Sequence, residues 1–126
     1  SKLFFLDTGM RNVAVNNFDP LEARVDKGRL IENYVFSNLY KNAPLLETIH
    51  FWRTKAGNEV DFILEQNTLI PVEVKYKPFP RPTLPSGVRS FIQQYDTKKN
   101  YVLTMDYYGT ADFNDHEIFY LPVWLA

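Results

Sequence analysis

No cysteine occurs anywhere in the 126 residues, which excludes a disulfide scaffold, a thiolate zinc site, a cysteine nucleophile and a thiol redox centre. A surplus of charge of either sign is missing too: 14 lysines and arginines face 15 aspartates and glutamates, for a net charge of −1. Dedicated nucleic-acid binders usually carry a basic excess that displaces counterions from phosphates, so any such contact here has to be local. No apolar run approaches the roughly 18 residues a membrane span needs, and the opening Ser1-Lys2-Leu3-Phe4-Phe5-Leu6-Asp7 is too short for a secretory signal. The expectation is a soluble, cytoplasmic protein with no membrane contact.

What is present suits one packed core. The chain is 45% hydrophobic and 16% aromatic, and a domain of this size buries roughly two thirds of the surface its unfolded form exposes. A single domain over residues 1–126 is expected, cut from a longer chain.

Leu3 to Leu6 reads as a short strand closed by Asp7-Thr8-Gly9, and Asn16-Asn17-Phe18-Asp19-Pro20 reads as a loop. From Leu30 to Tyr40, Leu30, Ile31, Tyr34, Val35, Leu39 and Tyr40 recur at helical spacing, with Asp26 as a candidate cap. Strands follow at Thr48 to Arg53, Glu59 to Glu65 and Leu69 to Tyr76. Pro78, Pro80, Pro82 and Pro85 enforce a stiff, extended crossing segment. Ser86 is a candidate cap for a helix through Tyr95, and Asn100 to Thr104 and Glu117 to Leu121 read as strands. The predicted class is α/β with a mixed sheet.

The hairpin of the second and third strands carries the chemistry. Strand side chains alternate faces. Val60, Phe62 and Leu64 therefore share one face, as do Ile70, Val72, Val74 and Tyr76. With a loop at Gln66 to Thr68, Phe62 falls opposite Val72, Asp61 opposite Glu73 and Glu59 opposite Lys75. Facing carboxylates repel, by roughly a few tenths to 1 kcal/mol in water and more when shielded. A divalent cation with hard oxygen ligands, magnesium above all, would offset that repulsion. Lys75 projects from the same face as Glu73, where an ammonium can hold a nucleophilic water or stabilise a phosphorane-like transition state. Glu32 lies at the edge of the apolar stripe of the first helix, within reach of the sheet.

Gly28-Arg29-Leu30-Ile31-Glu32-Asn33, then Phe51-Trp52-Arg53 leading through a glycine turn into Glu59-Val60-Asp61-Phe62, then Pro71-Val72-Glu73-Val74-Lys75, together resemble the PD-(D/E)XK nuclease superfamily. More narrowly, they resemble the C-terminal domain of a prokaryotic family of AAA-type ATPases. The resemblance runs from Asp7-Thr8-Gly9 to the strand after the second helix. It implies a restriction-endonuclease-like core of helix, three strands, helix and strand around a mixed central sheet. It further implies that Asp61 and Glu73 are metal ligands, Lys75 the catalytic lysine and Glu32 the acidic residue of the first helix. Val60 stands where the proline that names the superfamily would be, and Gln93 and Gln94 are followed four residues later by Thr97 and Lys98 rather than tyrosine. No phosphate-binding loop of the Gly-x-x-x-x-Gly-Lys-[Ser/Thr] type is present, so no ATPase activity is expected from this chain alone.

The expectation is a magnesium-dependent phosphodiester hydrolase, with manganese as substitute, acting on DNA as an endo- or exodeoxyribonuclease. Asp61, Glu73, the Val74 carbonyl and Glu32 would hold the metal, and Lys75 would orient the water. Lys77, Arg81 and Arg53 would contact DNA. The expected partners are DNA, the ATPase domain of the same full-length protein and further copies of the chain. The alternative is an inactive nuclease-fold domain that serves in protein interaction or DNA binding. In that case Lys75 pairs with Glu59 and the two acids sit in water. Alanine at Asp61 or Glu73 is expected to abolish cleavage and slightly stabilise the metal-free fold. Trp52 and Phe51 are candidates either for base stacking or for the core. Tyr107 and Tyr108 read as packing or loop residues. His50 and His116 lack partners at ligand spacing.

Overall fold

The computed structural model describes residues 27–42 and 48–125, and the chain divides into two compact units, Ser1–Asn42 and Ala43–Ala126. Asp26, the strand at Leu3 to Leu6, the turn at Asp7 to Gly9 and the loop at Asn16 to Pro20 lie outside the described residues.

In the first unit the described residues form helix α1, Lys27–Asn42, which contains the span predicted from periodicity. Ile31 and Val35, one turn apart, are buried, as are Asn33 and Ser37. Tyr34 and Tyr40 are exposed instead of completing the apolar stripe. A tyrosine loses little by this, because its hydroxyl remains hydrated.

The second unit runs β1 Thr48–Arg53, β2 Glu59–Glu65, β3 Leu69–Lys75, α2 Ser86–Tyr95, β4 Lys99–Thr104, β5 Gly109–Phe113 and β6 His116–Pro122, and ends in a 3-10 turn, Val123–Leu125. The six strands form one sheet in the order β1-β2-β3-β4-β6-β5. Tight connections make β1, β2 and β3 antiparallel neighbours. The crossing through α2 makes β4 parallel to β3, as a helical crossover permits and a hairpin does not, and β6, reached by way of β5, is parallel to β4. The class is mixed α/β, as expected. β5 was not foreseen. It pairs antiparallel with β6 through a two-residue turn in which Asn114 and Asp115 both have positive φ, 48° and 68°, a geometry that suits the twist of a hairpin and that asparagine and aspartate tolerate.

Val88, Phe91 and Ile92 of α2 pack with Val60, Ile63, Val102, Ile118 and Tyr120 of the sheet in one buried cluster. Ser86 is the first helical residue rather than the cap. Pro85 occupies the cap position in an extended conformation, with no side-chain cap bond. Gly87 decides how closely the helix sits: a Cβ there would lie 1.8 Å from the carbonyl oxygen of Glu59. Only glycine allows the first turn of α2 to rest directly on the main chain of β2.

The start of β4 carries a buried polar plug. Asn100 Nδ2 donates to the carbonyls of Glu117 (3.0 Å) and Thr97 (3.3 Å), and the Thr97 hydroxyl donates to Asn100 Oδ1 at 2.6 Å. His116 Nδ1 lies 2.7 Å from the Thr97 carbonyl. A carbonyl can only accept, so Nδ1 carries the proton. His116 is therefore a structural residue, and His50 pairs with Glu65 at 2.7 Å on the surface.

Candidate functional site

The site begins with one extra residue in β2. Trp52 is paired with Val60 but His50 with Ile63, so Phe51 alone faces both Asp61 and Phe62. Such a bulge bends a strand and re-aims its side chains. Strict alternation puts Val60 on the face of Phe62 and Leu64. The bulge instead returns Val60 to the face of Ile63, and both join the cluster under α2.

The β2–β3 ladder has the predicted register, from Glu65 opposite Leu69 to Phe62 opposite Val72. The next position is Asp61 with Glu73, and there carboxylates take the place of ladder carbonyls. The Asp61 N–H donates to Glu73 Oε1 at 2.9 Å, and the Val74 N–H donates to Asp61 Oδ2 at 2.8 Å. Each acid thus grips the other's strand. Both are buried, Asp61 at 6% exposure and Glu73 at 4%.

Burial, reinforced by the charge of Asp61 and a hydrogen bond to it, pushes the Glu73 carboxyl from its ordinary 4.5 up to about 8. The Asp61 N–H and the Lys75 ammonium act the other way. Lys75 Nζ lies 3.5 Å from Glu73 Oε2 and is 39% exposed, so solvent weakens its pull. The carboxylate it approaches is that of Glu73, not Glu59. At neutral pH a proton held by Glu73 relieves the repulsion that the facing acids create.

The donor set suits a hard divalent cation. Two carboxylates adjoin, and because the N–H and C=O of one strand residue point to the same neighbour, the Val74 carbonyl is turned toward β2 as its N–H is. Among the described residues, no group of three or more His, Cys, Asp or Glu is arranged to hold a metal. A cation here would therefore need the main-chain carbonyl and water beside the two acids. Glu32 is half-buried on α1, in the other unit.

Arg53, Lys55, Lys77 and Arg81 are exposed, and none of them joins the ion pairs of the described residues. Arg53 and Lys55 flank the turn into β2, which is braced by Thr54 and Asn58 bonding across it at 2.8 Å. Lys77 and Arg81 follow β3. Trp52 belongs to the core, edge-on to Phe91 at 5.1 Å, whereas Phe51 is exposed beside Phe62. Tyr107 packs inward on Tyr120, and Tyr108 is exposed.

Residues 27–125 match the family described as a domain of unknown function, DUF4143. The chain belongs to this family. Comparison with curated proteins gave no match. Among solved structures, the DUF4143 domain is similar in fold to a chain of the assembly described as a refined half-complex from tetradecameric Thermococcus gammatolerans McrB AAA+ hexamers with bound McrC, with a TM-score of 0.50 and 15% identity. The alignment covers 78% of this chain and 28% of that one, so the DUF4143 domain corresponds to about a quarter of its structural relative.

Periodicity could not reveal the bulge or the reciprocal hydrogen bonds. One inserted residue leaves no mark on composition, and a side chain accepting from a neighbouring strand leaves none on alternation.

Proposed function

We propose that this DUF4143 domain is a magnesium-dependent phosphodiester hydrolase acting on DNA, built on a restriction-endonuclease-like core and working beside an AAA-type ATPase. The observation that carries the proposal is the paired grip of Asp61 and Glu73 where the β2–β3 ladder opens, with the Lys75 ammonium 3.5 Å from Glu73. The likeness to a chain of an AAA+ assembly supports the ATPase partner and an oligomeric setting. Asp61, Glu73 and the Val74 carbonyl would hold the cation. When bound, the cation supplies charge neutralisation at the phosphate. Lys75 orients the attacking water and offsets charge on the phosphoryl oxygens. Arg53, Lys77 and Arg81 bind the flanking backbone phosphates, which fixes position without reading sequence.

Manganese titration by calorimetry, paired with cleavage assays on Asp61→Asn and Glu73→Gln, tests the proposal. One carboxylate-dependent site and loss of cleavage in both variants are expected. Variants that cut DNA as well as the parent would overturn it. A second reading, a non-catalytic interaction domain, is favoured by the proton that satisfies the pair without any ion. It predicts no metal binding and no cleavage of any nucleic acid.

A further inference from the structure

Among the described residues the sheet has two outer strands, β1 and β5. Proteins guard such edges with bulges, prolines and lysines, because the free N–H and C=O groups of an outer strand invite another strand. β1 pairs across the bulge and ends in Arg53. β5, Gly109-Thr110-Ala111-Asp112-Phe113, runs in unbroken register with β6 and has none of these devices.

The turn at Asn114 and Asp115 decides which main-chain groups of β5 are free. A two-residue turn with both φ positive is closed by a hydrogen-bonded pair, here Phe113 with His116, and such pairs alternate along an antiparallel ladder. Gly109, Ala111 and Phe113 therefore turn their N–H and C=O toward β6, while those of Thr110 and Asp112 point outward. The side chains divide in the same way. Ala111 and Phe113 pack toward the cluster under α2, with the Arg89 guanidinium 4.9 Å from the centre of the Phe113 ring. Thr110 and Asp112 are exposed. Asp112 lies level with Glu117, an acid beside an acid. Among the described residues neither its carboxylate nor the Thr110 hydroxyl makes a hydrogen bond.

We propose that β5 pairs antiparallel with β5 of a second copy of this chain, about a twofold axis at Ala111, so that two sheets become one. Thr110 then stands opposite Asp112 of the second copy, and the two outward N–H groups and two outward carbonyls of each strand all find partners, four hydrogen bonds in total. The Thr110 hydroxyl supplies the Asp112 carboxylate of the second copy with the donor that Glu117 cannot provide. On the face toward α2, Phe113 comes opposite Gly109 of the second copy. A Cβ there would lie 2.9 Å from the Tyr107 hydroxyl, so the ring folded across the glycine is what Phe113 meets. Sliding the two strands by two residues either way halves the hydrogen bonds within β5, and in one direction sets Asp112 against itself. A one-residue slide turns outward groups against inward ones. The contact is isologous, independent of any hydrolase activity, and small, so association in the range of about 10 µM to 1 mM is expected.

The test is sedimentation velocity of the 126-residue chain across that range, with circular dichroism confirming the fold of each variant. The parent passes from monomer to dimer. Thr110→Glu sets acids together at both symmetric positions and weakens the dimer about tenfold, whereas Thr110→Lys offers Asp112 an ammonium and keeps it. Thr110→Pro removes an N–H that β6 does not use and loses the dimer from a folded monomer. The chain has no cysteine, so Ala111→Cys places a single thiol on the axis, with about 4.5 Å between the two Cα atoms, and cross-links on mild oxidation. Asp112→Cys, separated from its counterpart by two residues of offset, does not. A parent that stays monomeric overturns the proposal, as does a dimer that Thr110→Glu and Thr110→Pro leave intact. It is also overturned if Asp112→Cys cross-links more readily than Ala111→Cys, which would mark a different register.

Discussion

Replacing Glu73 by glutamine should remove the pH dependence of stability that this buried carboxyl imposes. Folding raises the Glu73 carboxyl from 4.5 to about 8, so between those values the native chain holds one proton more than the unfolded chain. Its stabilising contribution is complete below the lower value and lost as pH rises through the upper one, at a slope of roughly 1.4 kcal/mol per pH unit. Across the whole window the loss has an upper limit of about 5 kcal/mol, a large fraction of a domain's total stability. Glutamine has no proton to lose, and its carbonyl still accepts the Asp61 N–H. Urea unfolding of both proteins in EDTA at pH 5, 6, 7 and 8 measures the effect, and subtracting the variant from the parent cancels groups common to both. The parent's advantage should shrink steadily with pH and level off beyond about pH 8. A difference that stays flat from pH 5 to 8 would refute the reasoning, because Glu73 would then titrate alike in both states.

Further substitutions probe the same geometry. Asp61→Ala strips the Val74 N–H of its acceptor and should destabilise by about 1–3 kcal/mol, whereas Asp61→Asn keeps an oxygen there and should cost less in the same urea titration. The slight stabilisation expected of alanine from repulsion alone is thereby reversed. Gly87→Ala drives a methyl into the Glu59 carbonyl and should cost about 1–3 kcal/mol as α2 is forced off the sheet, measurable as a lower melting temperature. Asn100→Leu leaves the Glu117 and Thr97 carbonyls without their donor and should cost about 1–3 kcal/mol, read from chemical unfolding. At pH 8, magnesium should raise the melting temperature of the parent but not of Glu73→Gln.

The meeting of Asp61 and Glu73 was legible in the sequence. The short loop at Gln66 to Thr68 and the alternation on either side were enough to set Phe62 against Val72, and that register brings Asp61 to Glu73. The helix at Leu30 to Tyr40 was legible from periodicity because it buries a stripe, and the helix through Tyr95 from the end of the proline run and the polar Ser86, although Pro85 takes the cap position. Alternation failed at Val60, where a bulge turned one residue back toward the helix. It also missed β5, whose Gly109-Thr110-Ala111-Asp112-Phe113 has few β-branched residues, although Asn114-Asp115 is the kind of pair that favours a tight hairpin. The alternative pairing of Lys75 with Glu59 followed from cross-strand position, whereas the ammonium lies 3.5 Å from Glu73, two residues away on the same face of its own strand.

The seat of α2 on β2 has a mechanical consequence. With no side chain cushioning Gly87 against Glu59, the helix cannot slide without displacing the strand two residues ahead of Asp61. A shift of β2 at Glu59 therefore meets the first turn of α2, and the proline segment that leads into it, with no side chain in between to absorb it.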